Sequence, residues 1–141
     1  MKTATICCLC LLAFISYIQT TSTMTAVSLV GGSFTATRFP NSGMTGVKRK
    51  LKSNIWQFYY PCKKASGVTK KNCGNWVDEK FNKIKGANNN VKQTAEGIEI
   101  SKLRLEDTGT YLGLPADPDP DQAMLAEVGL FVQEGPKPLI S

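Results

Sequence analysis

Asp107-Thr108-Gly109-Thr110-Tyr111-Leu112-Gly113 is the stretch on which the fold turns. It follows Gly97 to Leu105, where Ile98 and Ile100, then Leu103 and Leu105, alternate with polar residues. That period of two marks a half-buried strand. Working outward, Val128, Leu130 and Val132 alternate in a last strand, and Gly86 to Asn90 reads as a turn. Upstream, Ile55 to Tyr60 is a β-prone aromatic cluster stopped by Pro61. Ser33 to Phe39 sets Phe34 and Ala36 on one side and Thr35 and Thr37 on the other, before the turn Pro40-Asn41-Ser42-Gly43. Val27 to Val30 is a β-branched run ended by Gly31-Gly32, whereas Asn75 to Ile84 fits neither period. Short strands punctuated this often predict an all-β sandwich.

The N-terminus carries Lys2, an apolar run from Ile6 to Ile18 and small polar residues from Thr20 to Thr23. This predicts a secretory signal peptide over 1–22, cleaved between Gln19 and Thr25. The folded domain is then expected over 25–134, with a short tail over 135–141. Cys7, Cys8 and Cys10 leave with the leader, so Cys62 and Cys73 are expected to form one disulfide in an oxidising compartment. No second apolar run follows, and no transmembrane segment is expected. The product predicted is one soluble, secreted, extracellular domain.

Histidine is absent, which removes the usual acid–base group near neutral pH. Asp78-Glu79 and Glu106-Asp107 are adjacent pairs, and neighbours on a strand point to opposite faces. No nucleophile motif, phosphate-cradling glycine loop or metal-ligand cluster occurs, so no catalysis, cofactor or metal is expected. The prolines between Asp117, Asp119 and Asp121 stiffen that run away from a calcium loop. No N-x-S/T acceptor is present.

Gly97 to Gly113 resembles strands E and F of an immunoglobulin V-type domain. Tyr111 matches that family's tyrosine corner, whose hydroxyl bonds back to backbone. Gly31-Gly32-Ser33-Phe34-Thr35 is similar to the opening of strand B in the polymeric immunoglobulin receptor and CMRF-like group. Tyr60-Pro61-Cys62-Lys63 resembles that group's strand C segment, whose cysteine pairs locally with one at the start of C′, the place of Cys73. Lys80-Phe81 resembles the Arg-Phe opening strand D, and the resemblance implies that Lys80 faces Asp107. The structural residues implied are thus Lys80, Asp107, Gly109 and Tyr111, in a V-type sandwich that binds other proteins.

The chain departs from the pattern where the core disulfide belongs. Arg38 and Gly113 occupy the two cysteine positions, so the inter-sheet bond is lost, at about 4 kcal/mol for a loop of that length. A small register shift, turning Arg38 outward and Phe39 inward, is the expected resolution. Pro61 stands where strand C has its tryptophan, and Trp56 is expected to take over that packing. The local Cys62–Cys73 bridge is expected to hold the C–C′ hairpin, worth about 2–3 kcal/mol.

Charge is segregated. Residues 38–92 hold thirteen Lys and Arg against two acids, whereas 93–141 hold three against nine. In a V-type fold, Lys48, Arg49, Lys50, Lys52, Lys63, Lys64, Lys70 and Lys71 would lie on a C–C′ region near an acidic F–G loop of Asp117, Asp119 and Asp121. Three roles fit: solvated charges that keep the domain soluble, a face for a protein ligand, self-association included, or a patch for sulfated glycans or anionic surfaces. The secreted location argues against nucleic acid. The expected function is a soluble, receptor-like immune binding module; the alternative is a cationic host-defence protein acting on polyanions or anionic membranes.

Overall fold

The computed structural model describes residues 24–37, 43–116, 123–124 and 126–138. The signal peptide, the Arg38 and Phe39 register, and Asp117, Asp119 and Asp121 lie outside them. Nine strands form in chain order: β1 Met24–Leu29, β2 Phe34–Ala36, β3 Gly46–Leu51, β4 Trp56–Tyr59, β5 Trp76–Val77, β6 Val91–Gln93, β7 Ile98–Ile100, β8 Gly109–Leu114 and β9 Val128–Gln133. Six make one sheet in the order β1-β9-β8-β3-β4-β5, and three make a second in the order β2-β7-β6. Every pairing between these strands is antiparallel except β1 with β9, which run parallel. Two sheets facing across one core in this order are an all-β immunoglobulin-like sandwich.

The core follows from alternation. Ala36, Ile98 and Ile100 of the smaller sheet meet Val47, Tyr59, Trp76, Tyr111, Leu130 and Val132 of the larger, with Leu103 beside them. The rings of Phe34 and Tyr111 touch across the sandwich, centroids 5.1 Å apart. Gly113 is buried on β8 and pairs with Val47.

Four expectations change here. The strand that pairs with β8 is Gly46–Leu51, not the segment at Tyr60 that resembles strand C; the aromatic cluster at Trp56–Tyr59 is its outer neighbour. The run from Gly97 stops as a strand at Ile100, and Leu105 opens a short 3-10 turn, Leu105–Asp107, that delivers Asp107 to the core. The Cys62–Cys73 bridge forms, with Cα atoms 4.9 Å apart, but it closes the β4–β5 connection and not the β3–β4 hairpin. Finally, Trp76 and not Trp56 is the core tryptophan, at 0 % exposure, while Trp56 stays half-exposed on β4. Arg49 decides this, because its guanidinium stacks 3.8 Å over the Trp76 ring inside the sandwich.

Candidate functional site

Two constellations stand out, one buried and one on the surface. The buried one centres on Asp107. Its Oδ1 accepts Arg49 Nη1 at 3.0 Å, with both side chains only 1 % exposed. Its Oδ2 accepts the backbone N–H of Arg104 at 2.9 Å and Asn88 Nδ2 at 3.0 Å. Arg49 Nε donates to Gln57 Oε1 at 2.9 Å. Trp76 Nε1 donates to Asn88 O at 2.8 Å, and Asn88 Nδ2 reaches Ser101 O and Lys102 O. Among the described residues no buried side-chain polar atom lacks a partner, the condition under which a buried ion pair is tolerated.

Lys80 therefore does not face Asp107. It is exposed in the turn after β5, its backbone N–H donating to Asp78 Oδ1 at 2.8 Å. The cation comes from β3 instead, because the alternation that turns Lys48 and Lys50 outward turns Arg49 inward. Arginine suits that place through its planar fork and its stacking on an aromatic face. This also removes Arg49 from the surface charges with which the sequence grouped it.

Tyr111 Oη donates to Asp107 O at 2.6 Å, tying β8 to the turn before it. Burial pushes the Tyr111 hydroxyl up to about 12, against the opposing effect of the Arg49 charge and hydrogen bond. Gly109 is required by close approach: a Cβ there would collide with Lys50 O and Leu51 on β3. Asp107, Gly109 and Tyr111 thus hold the joint between the sheets and do not reach solvent chemistry.

The surface constellation is the outer face of the six-stranded sheet. Lys48 and Lys50 of β3 point outward and lie with Nζ 4.4 Å and 5.2 Å from the Trp56 ring centroid. Trp56 and Phe58 alternate along β4 on that same face, paired with Lys50 and Lys48. Phe58 stacks with Tyr60 at 6.5 Å, and Tyr60 meets Phe81 at 6.2 Å. At the other edge Val27 is 62 % exposed and its pairing partner Phe131 52 %, with Leu29 two residues further along β1. Alternation did not separate this face from the core, as the overturned expectation for Trp56 shows, because it does not reveal which face of a sheet is covered.

Phe81 sits at a positive φ of 62°. The segment Asp78–Asn82 is a tight hairpin loop: Phe81 N–H donates to Asp78 O, and Asp78 and Asn82 exchange backbone and side-chain bonds. Glycine normally takes the left-handed position of such a loop, and a bulky residue there costs about 1–3 kcal/mol. Hydrogen bonds from the backbone of Asn82, foremost, hold the Asp78 carboxyl below its usual range despite its exposure.

The lysines separate into two groups. Lys48 and Lys50 flank Trp56, with Lys52 exposed in the β3–β4 turn. Lys63, Lys64, Lys70 and Lys71 are exposed on the disulfide-closed loop at the far end of β4, with Val68 between them at its 3-10 turn. The only ion pairs among the described residues are Arg49–Asp107 and Lys92–Glu99. None of the described residues form a cluster of three or more His, Cys, Asp or Glu able to hold a metal. No helix among them is long and apolar enough to cross a membrane.

No family model matches the chain. No curated protein matches it either. Among solved structures the chain is similar to CD84, whose crystal structure addresses SLAM family function, at 16% sequence identity and a TM-score of 0.43, over 81% of this chain and 100% of that one. At that likeness nothing about CD84 is carried over; the fold assignment stands on strand order and register.

Proposed function

We propose that this chain is a secreted V-type immunoglobulin domain of the polymeric-immunoglobulin-receptor-like kind, a receptor-like immune module that binds a protein through the outer face of its larger sheet and performs no catalysis. The parallel β1–β9 pairing and the two strands beyond β3 support the V-type reading. So does the Tyr111 corner. A leader over 1–22, a disulfide and a domain over 25–134 fit an extracellular product.

One observation carries the binding reading. The outer face of an antiparallel sheet is ordinarily polar, yet this one presents Val27, Leu29, Phe131, Trp56, Phe58, Tyr60 and Phe81. Val27, Leu29 and Phe131 are exposed at one edge and the half-buried rings gather at the other, and apolar side chains left at the surface in groups mark an interaction surface. The test compares capture of binding proteins from serum and leukocyte membranes by wild type, Phe131→Lys and a Lys63/Lys64/Lys70/Lys71→Gln variant. Loss with Phe131→Lys alone, insensitive to salt, supports the reading. Capture that survives Phe131→Lys and fails with the lysine variant and with rising salt sinks it.

That second result would favour the polyanion reading, which rests on the four exposed lysines of the disulfide loop. A sulfated glycan or anionic membrane would then be the ligand. Self-association through either surface would appear as a concentration-dependent mass in solution.

A further inference from the structure

Beside the β4 row lies a cavity of about 190 Å³ lined by Phe58, Tyr60, Asp78, Glu79 and Phe81. It opens beside a larger one of about 580 Å³ that shares Asp78 and Glu79 and is bounded by Trp56. The small cavity falls below the roughly 300–1,000 Å³ of pockets that enclose a whole small molecule. It is the size for one side chain.

Its chemistry is specific. Three aromatic rings line it, and their faces carry negative charge density. Asp78 spends its oxygens on Lys80 N–H, Asn82 N–H and Asn82 Nδ2, so it is fixed and ionised. Glu79 is exposed, with no ion-pair partner among the described residues. Rings with carboxylates at the rim are the arrangement that takes an organic cation.

The backbone supplies an independent reason. Phe81 occupies the left-handed loop position at φ 62°, where glycine would be relaxed, and the return is a ring against Tyr60 that completes the cavity wall. Strain held at one residue points to a use for its side chain.

We infer that this aromatic and acidic cavity is a socket for an arginine side chain projecting from the protein partner. The guanidinium stacks on the Tyr60 ring beside the tilted Phe81 ring and donates to the Glu79 carboxylate, a geometry lysine does not match. The inference rests on the outer face being the binding face. It adds the charge sign of the partner at this point: basic, opposite to that of a polyanion.

The test is a titration of the isotope-labelled, oxidised protein with butylguanidinium, followed by amide NMR shifts, against the uncharged analogue N-butylurea. Saturable shifts at Phe58, Tyr60 and residues 78–82 are expected, with N-butylurea weaker by about three- to tenfold. Glu79→Gln should weaken butylguanidinium by about threefold, the worth of an exposed ion pair. Phe81→Gly should abolish the shifts while leaving the thermal midpoint equal to or above wild type, because glycine relaxes the loop. Equal binding of N-butylurea, or shifts that persist in Phe81→Gly, would overturn the socket. So would a sulfated disaccharide shifting the same amides in place of butylguanidinium. Absence of butylguanidinium shifts with Phe131-dependent partner capture intact would remove the socket and leave the broader binding face standing.

Discussion

Arg49 Nη1 on β3 lies 3.0 Å from Asp107 Oδ1 in the turn before β8, each side chain almost wholly out of water. The pair is sandwiched by the Trp76 ring on one side and extended by Asn88 and Arg104 on the other. It joins the larger sheet to the loops that lead into and out of the smaller one. With no cysteine at position 113, this network and the Phe34–Tyr111 contact join the apolar core in holding the sheets together.

Cutting one side of the pair leaves a buried charge without its counterpart. Arg49→Ala or Asp107→Ala should lose about 3–5 kcal/mol of unfolding free energy. Arg49→Lys should recover little of it, because an ammonium neither stacks flat on Trp76 nor reaches Gln57 and Asp107 together. Urea unfolding of the three variants checks this; a loss below about 1 kcal/mol in Asp107→Ala would remove the network from the stability account.

The Tyr111 hydroxyl makes stability depend on alkaline pH. Its folded-state value of about 12 lies above the ordinary 10, so between those limits the unfolded chain has already lost its proton and the folded one has kept it. Stability is therefore whole below pH 10 and falls toward pH 12, by about 2–3 kcal/mol. Burial also pushes Tyr59 and Tyr60 up, so the informative quantity is the difference from Tyr111→Phe, whose stability should decline less over the same interval. Identical slopes would contradict the assignment.

The two tryptophans should behave oppositely. Trp76→Ala opens a cavity and strands both Arg49 and Asn88, costing at least about 3–5 kcal/mol. Trp56→Ala should stay within about 1 kcal/mol. In fluorescence, acrylamide should quench only the emission lost in Trp56→Phe. Equal quenching of both rings would mean that the core is not the one described.

Removing the disulfide tests how local it is. Cys62→Ser with Cys73→Ser should cost about 2–3 kcal/mol for a loop of this length, with hydrogen exchange rising between Pro61 and Asn75 and the β3–β8 ladder unchanged. Alkylation of the unreduced protein should label neither Cys62 nor Cys73. Labelling of both cysteines would show that the bridge does not form.

Much of the fold was legible along the chain. Ile98, Ile100, Leu130 and Val132 lie in the core where their alternation placed them, because a period of two is a local property of strands. The Cys62–Cys73 pairing agrees with the expectation drawn from the two cysteines that lie beyond the N-terminal apolar run. Position β3 was missed because Gly46-Val47-Lys48-Arg49-Lys50-Leu51 reads as a solvated charge run. Its inward residue is an arginine, and hydrophobic pattern cannot see a charge whose burial is stabilised by Asp107, Trp76 and Gln57.

The candidate surface shows the same division. Local sequence determined that strands alternate and that positive charge gathers before residue 93, and the family resemblance placed Asp107, Gly109 and Tyr111 at one corner. Tertiary structure alone decided which of those charges are buried, that Trp76 fills the core while Trp56 lies on the face, and that Phe58, Tyr60 and Phe81 share one cavity with Asp78 and Glu79. The physical reason is range: alternation and turn chemistry act over a few residues, whereas an ion pair spanning 58 positions exists only once the sheets have closed.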